Sequence, residues 1–153
     1  MAKKYQELPG QELLQYRDSS SGFKVIESGD VNEYLGEITG EDFTAKDFRT
    51  WGGTVSAANE FFRLGPAASD HEIKRNIVQA IRNTASRLGN TPAVCRQYYV
   101  APQIIEAYVD ENLFKAMSKA AGGNGAKRFN LDREERAVVD LLKNSHTKNK
   151  VGA

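Results

Sequence analysis

Cysteine is almost absent from this chain: Cys95 is the single one in 153 residues. An internal disulfide is therefore excluded, and a reducing, cytoplasmic setting is expected. Histidine is nearly as scarce. His71 and His146, together with Cys95, make no spacing known to hold a metal, so no metal and no other cofactor is expected. No apolar run approaches the roughly 20 residues of a membrane span. The opening MAKKYQELPG lacks the apolar core of a secretory signal. What remains is a chain of one-domain length, with 40% hydrophobic residues and seven Phe, six Tyr and one Trp to fill a core.

A second absence is local. No acidic residue occurs from Ile73 through Ile105, whereas Lys74, Arg75, Arg82, Arg87 and Arg96 do. The net charge of +1 hides this asymmetry: residues 1–72 carry 7 Lys+Arg against 13 Asp+Glu, and residues 73–153 carry 14 against 7. A basic face of this kind suits a polyanion such as nucleic acid. Charge alone equally fits a solvated helix surface.

The periodicity is helical almost throughout. The turn-rich start includes the loop signal SSSG, and FKVI reads as a short strand or a connector. In DVNEYLGEI, Val31, Tyr34, Leu35 and Ile38 fall on one helical face, with Asp30 as N-cap and an end near Gly40. In FTAKDFRTWGGTVSAANEFFRLG, Thr44 and Asp47 sit at capping-box spacing, and Phe48, Trp51, Val55, Ala58, Phe61 and Phe62 form an apolar stripe. Gly52 and Gly53 weaken that helix by about 1 kcal/mol each relative to Ala. Close approach of a neighbouring helix or of a ligand would account for them. Ser69 and Glu72 form a capping box opening a helix that Gly89 ends, with Ile73, Ile77, Ala80, Ile81, Thr84, Ala85 and Leu88 on its buried side. A short helix opens at Pro92, and PQIIEAYVDENLFKAMSKA continues from Pro102. GGNG breaks the chain, LDREERAVVDLLKN forms a last helix with Val138, Leu141 and Leu142, and SHTKNKVGA is a polar tail. The fold class is mainly α, with any strands confined to the first thirty or so residues.

Two stretches carry chemistry. FTAKDFRTWGGT (43–54) and LGNTPAVCRQYYVAP (88–102) resemble the catalytic core of the bacterial and poxvirus-like type IB DNA topoisomerases, and LPGQELLQY and DVNEYL upstream match as well. The resemblance runs from about Leu8 to about Leu142. It implies a multi-helix catalytic domain of the type IB topoisomerase and tyrosine recombinase kind. It implies also an isomerase of the bacterial nucleoid that relaxes supercoiled duplex DNA through a 3′-phosphotyrosyl intermediate, without ATP or metal. In that family the nucleophile lies nine residues after a His or Asn that follows Leu-Gly. Here Asn90 is that residue and Tyr99, not Tyr98, is the nucleophile. Val100 and Pro102 fit the pattern; Ala101 departs from it.

The chemistry of each residue is consistent with that assignment. A phenol has a pKa near 10 and needs activation at neutral pH, which basic surroundings such as Arg96 favour. The planar fork of Arg49 suits the non-bridging oxygens of a phosphoryl-transfer transition state. Its plain alternative is a surface arginine pairing with Asp42 or Asp47. The Asn90 amide can donate to a phosphate oxygen, or Asn90 can take a left-handed conformation after Gly89; the two are compatible. Lys46, Lys74 and Arg96 are candidate DNA-phosphate contacts that position the duplex without reading sequence. Trp51 and Phe48 are expected in the core, and Cys95 as a small buried residue.

The resemblance implies two further groups, an arginine and a lysine general acid, upstream of LPGQEL. The expectation is thus a C-terminal part of a catalytic domain, impaired by itself and completed by an N-terminal partner segment. Residues 1–128 form the partial domain, 129–143 its C-terminal helix and 144–153 a flexible tail. Two other readings stay open: a tyrosine recombinase or integrase, and a non-catalytic helical DNA-binding module.

Overall fold

The computed structural model describes residues 15–18, 22–122 and 132–150. In chain order the elements are β1 (Gln15–Asp18), β2 (Gly22–Val25), α1 (Ser28–Thr39), α2 (Ala45–Leu64), α3 (Asp70–Leu88), α4 (Pro92–Tyr98), α5 (Pro102–Val109), α6 (Asn112–Gly122) and α7 (Arg133–Lys150). The protein is thus mainly helical with one small sheet near its start, as its periodicity implies. Two units divide it, Met1–Asp47 and Phe48–Ala153. Among the described residues no helix is long and apolar enough to cross a membrane.

In the first unit, β1 and β2 form an antiparallel pair with Gln15 opposite Val25 and Asp18 opposite Gly22. FKVI is therefore largely strand. The LPGQELL segment and the serines of SSSG lie outside the described residues. Helix α1 begins earlier than its sequence suggests. Glu27, not Asp30, is the N-cap; Asp30 sits inside the first turn, where its carboxylate accepts from the Glu27 amide at 2.8 Å. An acid in that turn also complements the helix dipole. Gly40 closes α1 in the left-handed conformation, φ 69°. The stripe of Val31, Tyr34 and Ile38 is exposed rather than buried. Asp47 accepts from the Thr44 hydroxyl at 2.6 Å and from its amide at 2.9 Å. Those two bonds hold its carboxyl below the ordinary value.

The second unit contains the core. Ala57, Ala58 and Phe61 of α2, Ala80, Ile81 and Ala85 of α3, Ile104 and Tyr108 of α5, Leu113 of α6 and Val138 of α7 are all buried in one cluster. Each large apolar side chain there contributes about 1.5–3 kcal/mol. Phe48 departs from the expected core stripe and stands half exposed, while Trp51 packs against the cluster. Tyr108 joins three elements. Its ring stacks on Phe61 with centroids 4.6 Å apart; its hydroxyl accepts from Asn76 Nδ2 at 2.8 Å and donates to the Gly65 carbonyl at 3.2 Å.

The stretch 102–120 reads as one helix but folds as two. Glu111 takes a left-handed backbone, φ 59°, and α6 turns back from α5 so that both pack on α7. One straight helix could not bring Ile104 and Leu113 into the same cluster. Helix α7 runs to Lys150, well into the 144–153 segment for which a flexible tail is expected.

Candidate active site

The end of α3 sets the frame. Gly89 adopts the left-handed conformation, φ 66°, and its amide bonds back to the carbonyls of Ala85 and Ser86. The next amide, that of Asn90, reaches the Ala85 carbonyl at 2.9 Å. This is the Schellman arrangement that a glycine makes inexpensive. The left-handed residue is thus Gly89, and Asn90 is left with a backbone anchored on α3. The Leu88 carbonyl, one of the acceptors a helix end leaves without an intrahelical partner, becomes a meeting point. It accepts from Asn90 Nδ2 at 3.3 Å and from Arg49 Nη2 at 2.8 Å.

Arg49 comes from the start of α2, 39 residues away in sequence. The pairing with Asp42 or Asp47 is not what holds it; the α3 carbonyl is, and a cation at a helix C-terminus is favoured by the dipole as well. Its guanidinium lies over the Tyr99 ring, 5.2 Å from the centroid. The planar fork has five N–H donors, so one bond to Leu88 orients it without exhausting it.

Tyr99 lies in the connection between α4 and α5. Thr91 caps α4 by accepting from the Val94 amide at 3.3 Å, and the helix ends with Tyr99 as its C-cap. Tyr98 is half exposed, whereas Tyr99 is partly buried under Arg49. Gly53 explains how α2 comes this close. A methyl group there would collide with the Tyr99 carbonyl oxygen and would meet Tyr99 Cβ at 3.1 Å and Leu88 Cδ1 at 3.2 Å. Gly52 has nothing within 4 Å of the equivalent position. Close approach accounts for one glycine of the pair only.

Tyr99, Arg49 and Asn90 are thus linked through the Arg49 guanidinium and the Leu88 carbonyl. Lys74 is near the start of α3, about 20 Å along the helix axis from Leu88 at 1.5 Å per residue. It cannot share a phosphate with Asn90. Arg96 is exposed on α4, one turn before Tyr99, and Lys46 is exposed in the first unit. Of the five cations in the acid-free stretch, two are engaged by acids elsewhere: Arg75 with Glu72 at 3.2 Å and Arg87 with Glu60 at 3.0 Å.

Glu60 is a buried carboxylate of α2, 3% exposed. Burial raises its pKa, but hydrogen bonds from Arg63 and Asn83 and the charges of Arg63 and Arg87 more than offset this, so it titrates below the ordinary glutamate value. It locks α2 to α3 through Asn83 at 2.7 Å and Arg87 at 3.0 Å. Burial pushes the Cys95 thiol up, as befits a packed residue.

Two contributors escape sequence reasoning. One is the Leu88 carbonyl, which no side-chain pattern announces. The other is Thr54, buried in α2, whose hydroxyl bonds the Tyr99 and Ala101 backbones. A polar residue spaced with Thr50, Ala57, Ala58 and Phe61 on one side of the helix was its available signal.

An arginine over a tyrosine, with a carboxamide fixed to the same carbonyl as that arginine, gathers the N–H donors of two side chains beside one phenol ring. Residues 5–121 match the family model described as eukaryotic DNA topoisomerase I, catalytic core, and the chain belongs to that family. A relative named DNA topoisomerase 1B, from Acanthamoeba polyphaga mimivirus, is 33% identical over 113 residues, 69% of this chain. The chain spans about a third of that relative's length, 34%. All three linked residues lie inside the matched segment; α7 lies beyond it.

Proposed function

We propose that this chain supplies the nucleophile and part of the phosphate-binding apparatus of a type IB DNA topoisomerase. The observation that carries this reading is that Arg49 and Asn90 both donate to the carbonyl that ends α3, while the Arg49 guanidinium lies over the Tyr99 ring. Duplex DNA is the substrate. The Tyr99 phenol loses its proton and its oxygen attacks a backbone phosphorus. A bond from tyrosine oxygen to phosphorus forms at the 3′ side of the break and the bond from phosphorus to the 5′ oxygen opens; the phenol's proton passes to water and the departing 5′ oxygen takes one up, so the step is proton-neutral overall. The reverse attack restores the strand and releases tyrosine. Rotation of the free end between the two steps removes supercoils, and no nucleotide is hydrolysed because the linkage is conserved. Arg49 and Asn90 donate to the non-bridging oxygens where charge accumulates. Lys46, Lys74 and Arg96 hold flanking phosphates.

The resemblance assigns a second arginine and a lysine general acid to a segment upstream of LPGQEL. A general acid contributes about 10²–10⁴ in rate, and a charge-stabilising arginine on the order of 10³–10⁵. Supplying those two groups should therefore accelerate adduct formation by this 153-residue chain. The test is incubation with a suicide duplex followed by denaturing electrophoresis. Tyr98→Phe should retain the covalent adduct and Tyr99→Phe should lose it. Adduct persisting in Tyr99→Phe disproves the assignment; rapid adduct formation by the chain alone disproves the need for an upstream segment.

A further inference from the structure

The backbone polar groups of the α4–α5 connection are met from another helix. Three residues, Tyr99 to Ala101, separate the helices, and the N-cap of α5 is Ala101, which makes no side-chain cap. Its amide and the Tyr99 carbonyl are polar groups at a helix start and a helix end, where intrahelical partners run out. A single hydroxyl serves both. Thr54 Oγ1 accepts from the Ala101 amide at 3.1 Å and donates to the Tyr99 carbonyl at 3.4 Å. A hydroxyl has one hydrogen and two lone pairs, so the two bonds are compatible. Thr54 itself is 2% exposed, and Val100, between the two bonded residues, is 4% exposed.

We infer that Thr54 is a positioning residue for Tyr99: its hydroxyl fixes the backbone on either side of Val100 and so sets where the phenol stands relative to Arg49. This rests on the assignment of Tyr99 as nucleophile made above. The economy of the arrangement is that α2 carries both Arg49 and Thr54, about 7.5 Å apart along its axis. The same rigid helix therefore holds the phosphate-binding guanidinium and the anchor of the attacking residue. A β-branched side chain has few rotamers in a helix, which keeps the hydroxyl aimed. Threonine is also a poorer helix former than alanine, so helix stability does not explain it. Beside it, Gly53 lets the Tyr99 carbonyl approach α2 at all.

The test compares Thr54→Val, which keeps the shape and removes the hydroxyl, with Thr54→Ser, which keeps the hydroxyl. Both are made in the full 153-residue chain, and adduct formation on the suicide duplex is measured with the upstream segment added, well below the melting temperature. A displacement of about 1 Å at a reacting group can slow a reaction on the order of 10²-fold. Thr54→Val is expected to slow adduct formation about 10- to 100-fold, with DNA affinity within about threefold of the parent. Thr54→Ser should restore the rate. Hydrogen exchange at the Ala101 amide is read in parallel, since it needs no catalysis: fast in Thr54→Val, protected in Thr54→Ser. An undiminished rate in Thr54→Val, a loss that serine fails to restore, or equal protection of the Ala101 amide in all three proteins would each overturn the inference. Tyr99→Phe serves as the separate control. Adduct in that variant condemns the choice of nucleophile, whereas Thr54→Val failing to slow a Tyr99-dependent adduct condemns only the role given to Thr54.

Discussion

Substituting the two adjacent glycines of α2 separates helix propensity from close packing. Alanine at either position gains about 1 kcal/mol in intrinsic helix stability. At Gly52 nothing opposes that gain, because the space beside it is open. Gly52→Ala should therefore stabilise the protein by up to about 1 kcal/mol and leave adduct formation unchanged. At Gly53 the added carbon falls well inside the 3.0 Å that side-chain carbons keep from other atoms, and its obstacle is the Tyr99 carbonyl. Leu88 Cδ1 can rotate away; a backbone oxygen held by Thr54 cannot. Helix α2 and the α4–α5 connection must separate by something on the order of 1 Å, with an overpacking penalty of about 1–3 kcal/mol. The net effect of Gly53→Ala is then a loss of roughly 0–2 kcal/mol, small enough for the chain to stay folded. The functional effect is larger, because the separation lies between Arg49 and Tyr99: adduct formation should fall on the order of 10²-fold. Thermal melting and the suicide-duplex assay measure the two quantities independently. A Gly53→Ala protein that cleaves within about threefold of the parent rate, far short of that drop, would refute the claim that this contact sets the site's geometry.

Glu60→Gln should lower stability by about 1–2 kcal/mol at neutral pH, a modest figure because Arg63 and Arg87 are largely solvated. Its folded-state pKa lies below the ordinary 4.5, so its contribution is full above that value and is lost as the pH falls through the folded value. Denaturant unfolding across the acid range should show this loss in the parent and not in the variant. Arg49→Lys keeps the charge but not the fork that bonds Leu88 and covers Tyr99, and adduct formation should fall about 10²-fold or more; a lysine variant of near-parental rate would contradict the bidentate role. Asn90→His should retain activity and Asn90→Ala should not, as read by the same assay. Glu111→Gly removes a side chain from a left-handed backbone and should raise stability by up to about 1 kcal/mol; a lower melting temperature would count against strain at that turn.

Much of this architecture is legible in the sequence where its causes are local. The Ser69 and Gly89 signals bound α3 because a cap and a left-handed stop act within a few residues. The choice between the two adjacent tyrosines is a different case: it rests on the family resemblance, and the fold separates them only by burial, Tyr98 half exposed and Tyr99 partly buried. Asp30 misleads because an acid stabilises the first turn from inside it as well as from its edge. The break at Glu111 is invisible because its residue type gives no warning; only the demand that α5 and α6 both reach one core forces it. Gly53 is readable as a question and not as an answer, since the carbonyl it admits is 46 residues away. Thr54 is beyond reach for the same reason: the residues it bonds are 45 and 47 positions distant.

Trp51 offers an optical handle. It is the sole tryptophan, two residues beyond Arg49, and its indole Nε1 donates to Glu135 Oε1 of α7 at 3.0 Å. Tryptophan emission from this chain consequently comes from one indole tied to the C-terminal helix. Any detachment of that helix should register as a wavelength shift, with no label introduced near the tyrosine.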